Sequence, residues 1–232
     1  MLHYHGTPIT PRARLLELVG RCFCVSFAAP GDVRCCHDIG QSVMLDNGAF
    51  THWRQGRASD WAGYYAWCEP WLDYQTTWAV IPDVIDGNED ANDRLLGEWP
   101  FGMRGAPVWH MHESISRLLR LADGWPRVCI GSSGEYAKVG DERWHRRMRE
   151  AMNALCGGGP APVWLHMLRG LSLAGSEYPF ASADSTNIAQ NHAGNNTRAT
   201  PRKDVRRMAD EIDGRQCAAR WRVAPEPMEL AA

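Results

Sequence analysis

The chain has 232 residues, a formal net charge of −2, 44% apolar residues and 22% charged residues. That composition belongs to a globular protein with a real core, and it excludes both a disordered chain and a polycation that coats nucleic acid over its whole surface. No run of about 18 apolar residues occurs, and Met-Leu-His-Tyr-His is not a basic-then-apolar leader, so neither a membrane span nor a secretory signal is expected. Eight cysteines then read as reduced thiols of a cytoplasmic protein. Cys22/Cys24 and Cys35-Cys36-His37 hint at metal, but no second pair follows at zinc spacing, and buried inert thiols are the expectation.

In chain order, short apolar or aromatic runs predict strands at 2–7, 22–28, 42–47, 76–82, 106–112, 127–132, 162–168 and 179–185. Helical patterns lie between them. Residues 11–20 open with Pro11 and close with Gly20. Residues 60–73 repeat Trp61, Tyr64, Tyr65, Cys68 and Trp71 at spacings of three and four. Helices are also predicted at 88–97, 113–123, 140–156 and 202–213, with brief ones in the glycine-bearing connections 31–40 and 169–177. Eight strand–helix units in about 210 residues imply a closed (β/α)8 barrel of the TIM type, a single domain over 1–213 followed by an extension over 214–232. An open doubly wound sheet is the alternative, weakened by the lack of GxGxxG after the first strand.

Chemistry in such a barrel sits at the carboxyl ends of the strands. The predicted ends supply His3 and His5, Asp46-Asn47-Gly48-Ala49-Phe50, Pro82-Asp83, His110 and His112, Gly131-Ser132-Ser133-Gly134-Glu135, His166 with Arg169, and Ser182-Ala183-Asp184-Ser185-Thr186-Asn187. Two chemistries can be built from this set. Asp46, Asp83 and Asp184 provide one carboxylate as nucleophile at an anomeric carbon, one as acid and base, and one as acceptor for purine N–H groups, with glycines 131 and 134 admitting a flat ligand. His3, His5, His110 or His112, His166 and Asp184 are similar to the metal ligands of amidohydrolase barrels and would activate water. A barrel that binds a nucleobase without chemistry is the third reading. Each aspartate also has a plain role as a helix cap, and each histidine as a hydrogen-bonded core residue.

The ordered motifs Asp-Asn-Gly-Ala-Phe (46–50), Pro-Asp (82–83), Gly-Ser-Ser-Gly-Glu (131–135) and Ser-Ala-Asp-Ser-Thr (182–186) resemble the tRNA-guanine transglycosylase superfamily, especially its phage and genomic-island branch that inserts 7-deazaguanines into DNA. Asn47 stands where the family usually has Ser. The resemblance implies Asp184 as the nucleophile at C1′, Asp46 as general acid and base, and Asp83 as reader of the purine edge. It also implies a base pocket drawn from Asn47, Gly48, Phe50, Gly131, Ser132, Ser133, Glu135, His166, Arg169 and Asn187. No cofactor is implied. Only Cys217 follows Asp184, so the zinc subdomain of the tRNA enzymes is not expected, which favours DNA over tRNA as partner beside a free 7-deazaguanine-type base. Strand binding needs cations and stacking faces. Arg198, Arg202, Lys203 and Arg206 supply the first, with Trp53 and Arg54 beside the Asp46 motif. Arg143, Arg146, Arg147 and Arg149 form a second basic stretch or a solvated helix face. A protein partner or a homodimer would assist base flipping.

Overall fold

The computed structural model describes residues 1–193 and 203–223. Nine parallel strands form one sheet: β1 (Leu2–Gly6), β2 (Cys22–Ser26), β3 (Ser42–Asp46), β4 (Thr77–Val80), β5 (Gly105–Ala106), β6 (Val108–His110), β7 (Arg127–Gly131), β8 (Trp164–Met167) and β9 (Ser182–Ser185). Their order is β5-β4-β3-β2-β1-β9-β8-β7-β6. The two ends of that order are successive pieces of one segment, interrupted at Pro107. Before the proline, Ala79 pairs Gly105 and Val80 pairs Ala106; after it, Val108 pairs Cys129 and His110 pairs Gly131. Proline has no N–H to give a ladder, so the segment changes partner there and the ring closes. Counted that way, the eight predicted strands are the eight staves of a TIM-type barrel.

Helices cover the outside: α1 (Arg12–Leu16), α2 (Val33–Ile39), α3 (Ala49–Arg54), α4 (Trp61–Leu72), α5 (Glu89–Glu98), α6 (Ile115–Gly124), α7 (Glu142–Cys156), α8 (Asn187–Asn191) and α9 (Val205–Asp213). Several starts are capped by short polar side chains. Asp60 accepts from Gly63, Asn88 from Ala91, Ser114 from Arg117, Asp141 from Trp144, and Asp204 from Arg206 and Arg207. The expected helix at 169–177 is only a 3-10 turn at Leu171–Leu173, and α3 and α8 fall where none was predicted. No helix among the described residues is long and apolar enough to cross a membrane.

The register fixes three cores. Tyr4, Cys22, Cys24, Met44, Trp78, Val80, Ala106, Val108 and Cys129 fill the barrel interior. The alternate residues, such as Phe23, Val25, Val43 and Leu45 on one side and Trp109, Val128, Ile130 and Leu165 on the other, pack outward against helices. All eight cysteines are free thiols. Cys22 and Cys24 face the interior while Cys35 and Cys36 pack outside it, so the hinted cysteine metal set does not converge. After α9 the chain runs on to Trp221, which is buried, stacks on Tyr178 at 5.5 Å and donates to Asn153.

Tyr64 of α4 ties the helix layer to the sheet. Its hydroxyl is buried and lies 2.8 Å from the Val80 carbonyl and 3.1 Å from the Leu45 carbonyl. Tyr64→Phe removes the donor and leaves both carbonyls at a strand end without it. We expect a loss of about 1–2 kcal/mol of unfolding free energy in urea titration, with unchanged slope.

Candidate active site

A cavity of about 830 Å³ opens at the carboxyl end of the barrel, a size that suits a nucleotide. Of the residues singled out in the sequence, Asp46, Phe50, Gly131, Ser132, Arg169, Asp184 and Asn187 line it, and so does Arg54, which was assigned to strand contact. Cys24, Ser26, Thr51, Gln55, His110 and Gln190 also line it and were not assigned to a base site from sequence. Thr51 and Gln55 come from α3 and Gln190 from α8, the two short helices the sequence did not signal.

Asp184 ends β9 and is 8% exposed. Its Oδ1 accepts the Arg169 backbone N–H at 2.7 Å and faces His166 Nε2 at 3.3 Å. Hydrogen bonds to Asp184 from the described residues all fall on Oδ1, which leaves Oδ2 to the cavity. Arg169 reaches this position with φ 54°, the one non-glycine residue at positive φ among those described. Such strain persists where the surroundings over-determine it, and here it turns an N–H onto a carboxylate. The Arg169 guanidinium lies 3.7 Å from the Phe50 ring centroid. Burial lowers its pKa, while the charges of Asp184 and Asp46 act to raise it.

Asp46 stands at the end of β3. It accepts the Gly48 N–H at 3.1 Å and a hydrogen bond from the Ser26 hydroxyl. Burial, then the charges of Asp184 and Asp83, outweigh these bonds and push its pKa from 3.8 up to about 6. Gly48 makes the turn at φ 74°, and a Cβ there would come within 3.1 Å of the Ala28 nitrogen. Cys24 is no competing nucleophile. Burial, with the nearby charges of Asp184 and Asp46, raises its thiol well above the ordinary value and keeps it neutral.

Other expected site residues sit behind the lining. Asp83 is buried with Oδ1 accepting from Asn47 Nδ2 at 2.7 Å and Oδ2 facing His110 Nε2 at 2.8 Å. Asn47 also donates to the Ile81 carbonyl and accepts from the Ala49 N–H, so it joins β3, α3 and the loop after β4. Asp83 therefore holds the scaffold, and His110 is the member of that pair that lines the cavity. A Cβ on Gly131 would meet His110 Nδ1 at 2.9 Å, so the glycine makes room for the imidazole. Ser133 bonds His112, whose other nitrogen reaches the Gly87 carbonyl. Glu135 is exposed and paired with Arg143. His166 is wholly buried beneath Asp184 rather than in the cavity wall.

The strand-one histidines do not face the mouth. Tyr4 and Gly6 occupy the inward phase. His3 bonds Ser185 at 2.8 Å, and His5 faces Asp213 of α9 at 3.2 Å. Burial first, then the neighbouring His5, lowers His3 to about 4, so it is neutral. Among the described residues no three His, Cys, Asp or Glu side chains gather as metal ligands.

Trp53 is half exposed and packs its ring 5.8 Å from Phe50, with Arg54 on the same Phe50 ring at 5.9 Å. Lys203 lines a second groove of about 510 Å³ that shares Asn187 and Leu171 with the cavity, while Arg206 is exposed on α9. Arg198 and Arg202 lie outside the described residues. Arg143, Arg146, Arg147 and Arg149 are each ion-paired, with Glu135, Glu142, Glu150 and Glu177. That basic stretch is a neutralised helix face.

No family model, curated protein or solved structure matches the chain.

The elevated pKa of Asp46 carries a stability signature. The folded protein binds a proton between about 4 and about 6 that the unfolded chain has released. Stability is thus expected to fall as pH rises through that window. Asp46→Asn removes the penalty and can still accept from Gly48. Thermal unfolding should find the variant more stable than its parent above about pH 7 and the difference gone below about pH 4.

Proposed function

We propose that the protein is a base-exchanging transglycosylase that replaces guanine in nucleic acid, DNA rather than tRNA, with a 7-deazaguanine through a glycosyl-aspartate intermediate. The observation that carries this reading is the contrast between two carboxylates on one cavity. Asp184 accepts the Arg169 N–H and faces His166 Nε2 through one oxygen, with the other left to the cavity. Asp46 holds its proton up to about pH 6. Two carboxyl groups in unlike environments are what a nucleophile and an acid/base partner at an anomeric carbon require. The ordered motifs at 46–50, 82–83, 131–135 and 182–186 support the same family reading. The single cysteine after Asp184 favours DNA.

In this mechanism Asp184 Oδ2 attacks C1′ of a flipped-out nucleotide. The C1′–N9 electron pair leaves with guanine, which takes the proton of the Asp46 carboxyl. The incoming base then returns its N9 proton to Asp46, and that nitrogen attacks C1′ and releases Asp184. The base sits among Phe50, Gly131, Ser132 and His110. Asn187, Gln190 and Arg54 lie on the rim, where sugar and phosphates would pass. Trp53 offers a stacking face to a flanking base, and the groove bearing Lys203 continues from Asn187 along α9. A second copy or another protein would share the cost of flipping the base, about a few kcal/mol.

Covalent trapping tests the assignment. The protein is incubated with guanine-containing DNA, and separately with tRNA, and intact mass is read after denaturation. Wild type with DNA should form an adduct, and Asp184→Asn should form none and exchange base at least about 10³-fold more slowly. An adduct retained in Asp184→Asn refutes the nucleophile. An adduct with tRNA alone refutes the choice of polymer.

A further inference from the structure

Beneath the cavity the barrel axis contains a line of polar side chains that runs down from Asp184, and those below it take no direct part in the reaction above. Trp164, His166, Ser182 and Asp184 all point inward, because His166 pairs Ser182 across β8 and β9 and the inward phase alternates along each strand. Trp164 Nε1 donates to Ser182 Oγ at 2.7 Å. Ser182 Oγ lies 2.8 Å from His166 Nδ1, and His166 Nε2 lies 3.3 Å from Asp184 Oδ1. Ser182 and His166 are completely buried. The imidazole is clamped edge-on by Tyr4 at 5.8 Å and Trp78 at 5.2 Å, so it has no room to turn away.

The donor and acceptor inventory assigns the protons. An indole nitrogen only donates, so it occupies a lone pair of Ser182 and leaves that hydroxyl one proton to give. A carboxylate only accepts, so the nitrogen facing Asp184 must carry a hydrogen. A neutral imidazole then has a bare Nδ1, and the Ser182 hydroxyl is the donor placed to fill it. Burial favours the neutral ring by lowering the His166 pKa.

We propose that Trp164, Ser182 and His166 form a relay in which the Ser182 hydroxyl fixes the Nε2-protonated tautomer of His166 and so presents a donor that orients Asp184 for attack, with Ser182 the positioning residue on which the tautomer depends. The role given to Asp184 rests on the transglycosylase reading; the tautomer does not. Without the serine hydroxyl, Nδ1 lacks a donor and the ring gains the Nδ1-protonated form. That form turns a lone pair toward Asp184, so the carboxylate loses this donor and the constraint it puts on its orientation. The other groups facing this pair are Arg169 after β8, Asp46 on β3, His3 on β1, Cys24 on β2, and Cys129 and Arg127 on β7. None of them touches Ser182 in the described hydrogen bonds, so they set a background common to parent and variant.

The test is long-range proton–nitrogen NMR on the full chain with 15N-labelled histidine, the His166 ring assigned by difference with His166→Gln. Wild type should show the Nε2-protonated tautomer. Ser182→Ala should shift the ring toward the Nδ1-protonated form and lower the rate of base exchange about 10- to 100-fold at unchanged KM, the range of one hydrogen bond to a charged group. Trp164→Phe keeps the serine donor and should retain the wild-type tautomer. An Nδ1-protonated ring in wild type overturns the relay, and that measurement stands even if Ser182→Ala does not fold. A full Nε2-protonated signal in folded Ser182→Ala overturns it as well. The expected tautomers in a protein that forms no nucleic-acid adduct would sustain the relay and overturn the transglycosylase reading alone.

Discussion

The side-chain alternation of eight parallel strands, locked by closure of the ring, decides what reaches the mouth of this barrel. A shift of one residue in any strand would exchange its two faces. In the observed register Asp46 pairs Ser26 across β2 and β3, and Asp184 pairs Tyr4 across β1 and β9, so both carboxylates look inward at the same end. The same phase sends His3 and His5 outward to Ser185 and Asp213. One constraint thus supplies a carboxylate site and withdraws the strand-one histidines from it. It also stacks Ser182 under Asp184, two residues down the same face.

An interior with Arg127, His166 and Ser182 in it would be costly if its polar groups were left bare. Most are answered from within the barrel. Trp78 donates to the Tyr4 hydroxyl, which lies 3.0 Å from Ser42. The Arg127 guanidinium sits 4.3 Å over the Trp78 ring and 5.5 Å from that of Trp164. Those tryptophans are large enough to fill the axis and still carry one donor each. The floor is therefore filled by packed side chains while the mouth is open, and Asp184 between them is held by a few fixed polar neighbours.

Much of this was legible in the sequence, and the limits have physical causes. The apolar runs located all eight staves to within three residues at either end. Their phase was not legible, because parallel barrel strands are covered on both faces. Cys22 and Cys24 point in, Phe23 and Val25 point out, and the alternation carries no polar label. His3-x-His5 consequently read as a pair aimed at the mouth. Helices α3 and α8 are six and five residues long, start from Gly48 and Thr186, and carry no apolar stripe. The partners of Asp83 and Asp184 lie 27 and 18 positions away in the chain, and only the register brings His110 and His166 to them. The strand-end aspartates themselves were visible because each follows an apolar run.

The two carboxylates differ in how their charge is compensated, and that difference is built from backbone more than from side chains. Asp184 takes a 2.7 Å N–H from Arg169, made available by a strained φ that no helix or strand would supply. Asp46 takes a longer one, 3.1 Å, from Gly48 in its own turn, and lies within reach of the charges of Asp184 and Asp83. Burial first, then the neighbouring charges of Asp184 and Asp83, makes ionising Asp46 harder before any ligand arrives. A reaction that needs an acid beside a carboxylate finds in Asp46 a group that holds its proton more tightly than an ordinary aspartate. The cost is carried as strain at Arg169 and as lost stability at Asp46, as expected where a fold departs from its local rules to hold a site.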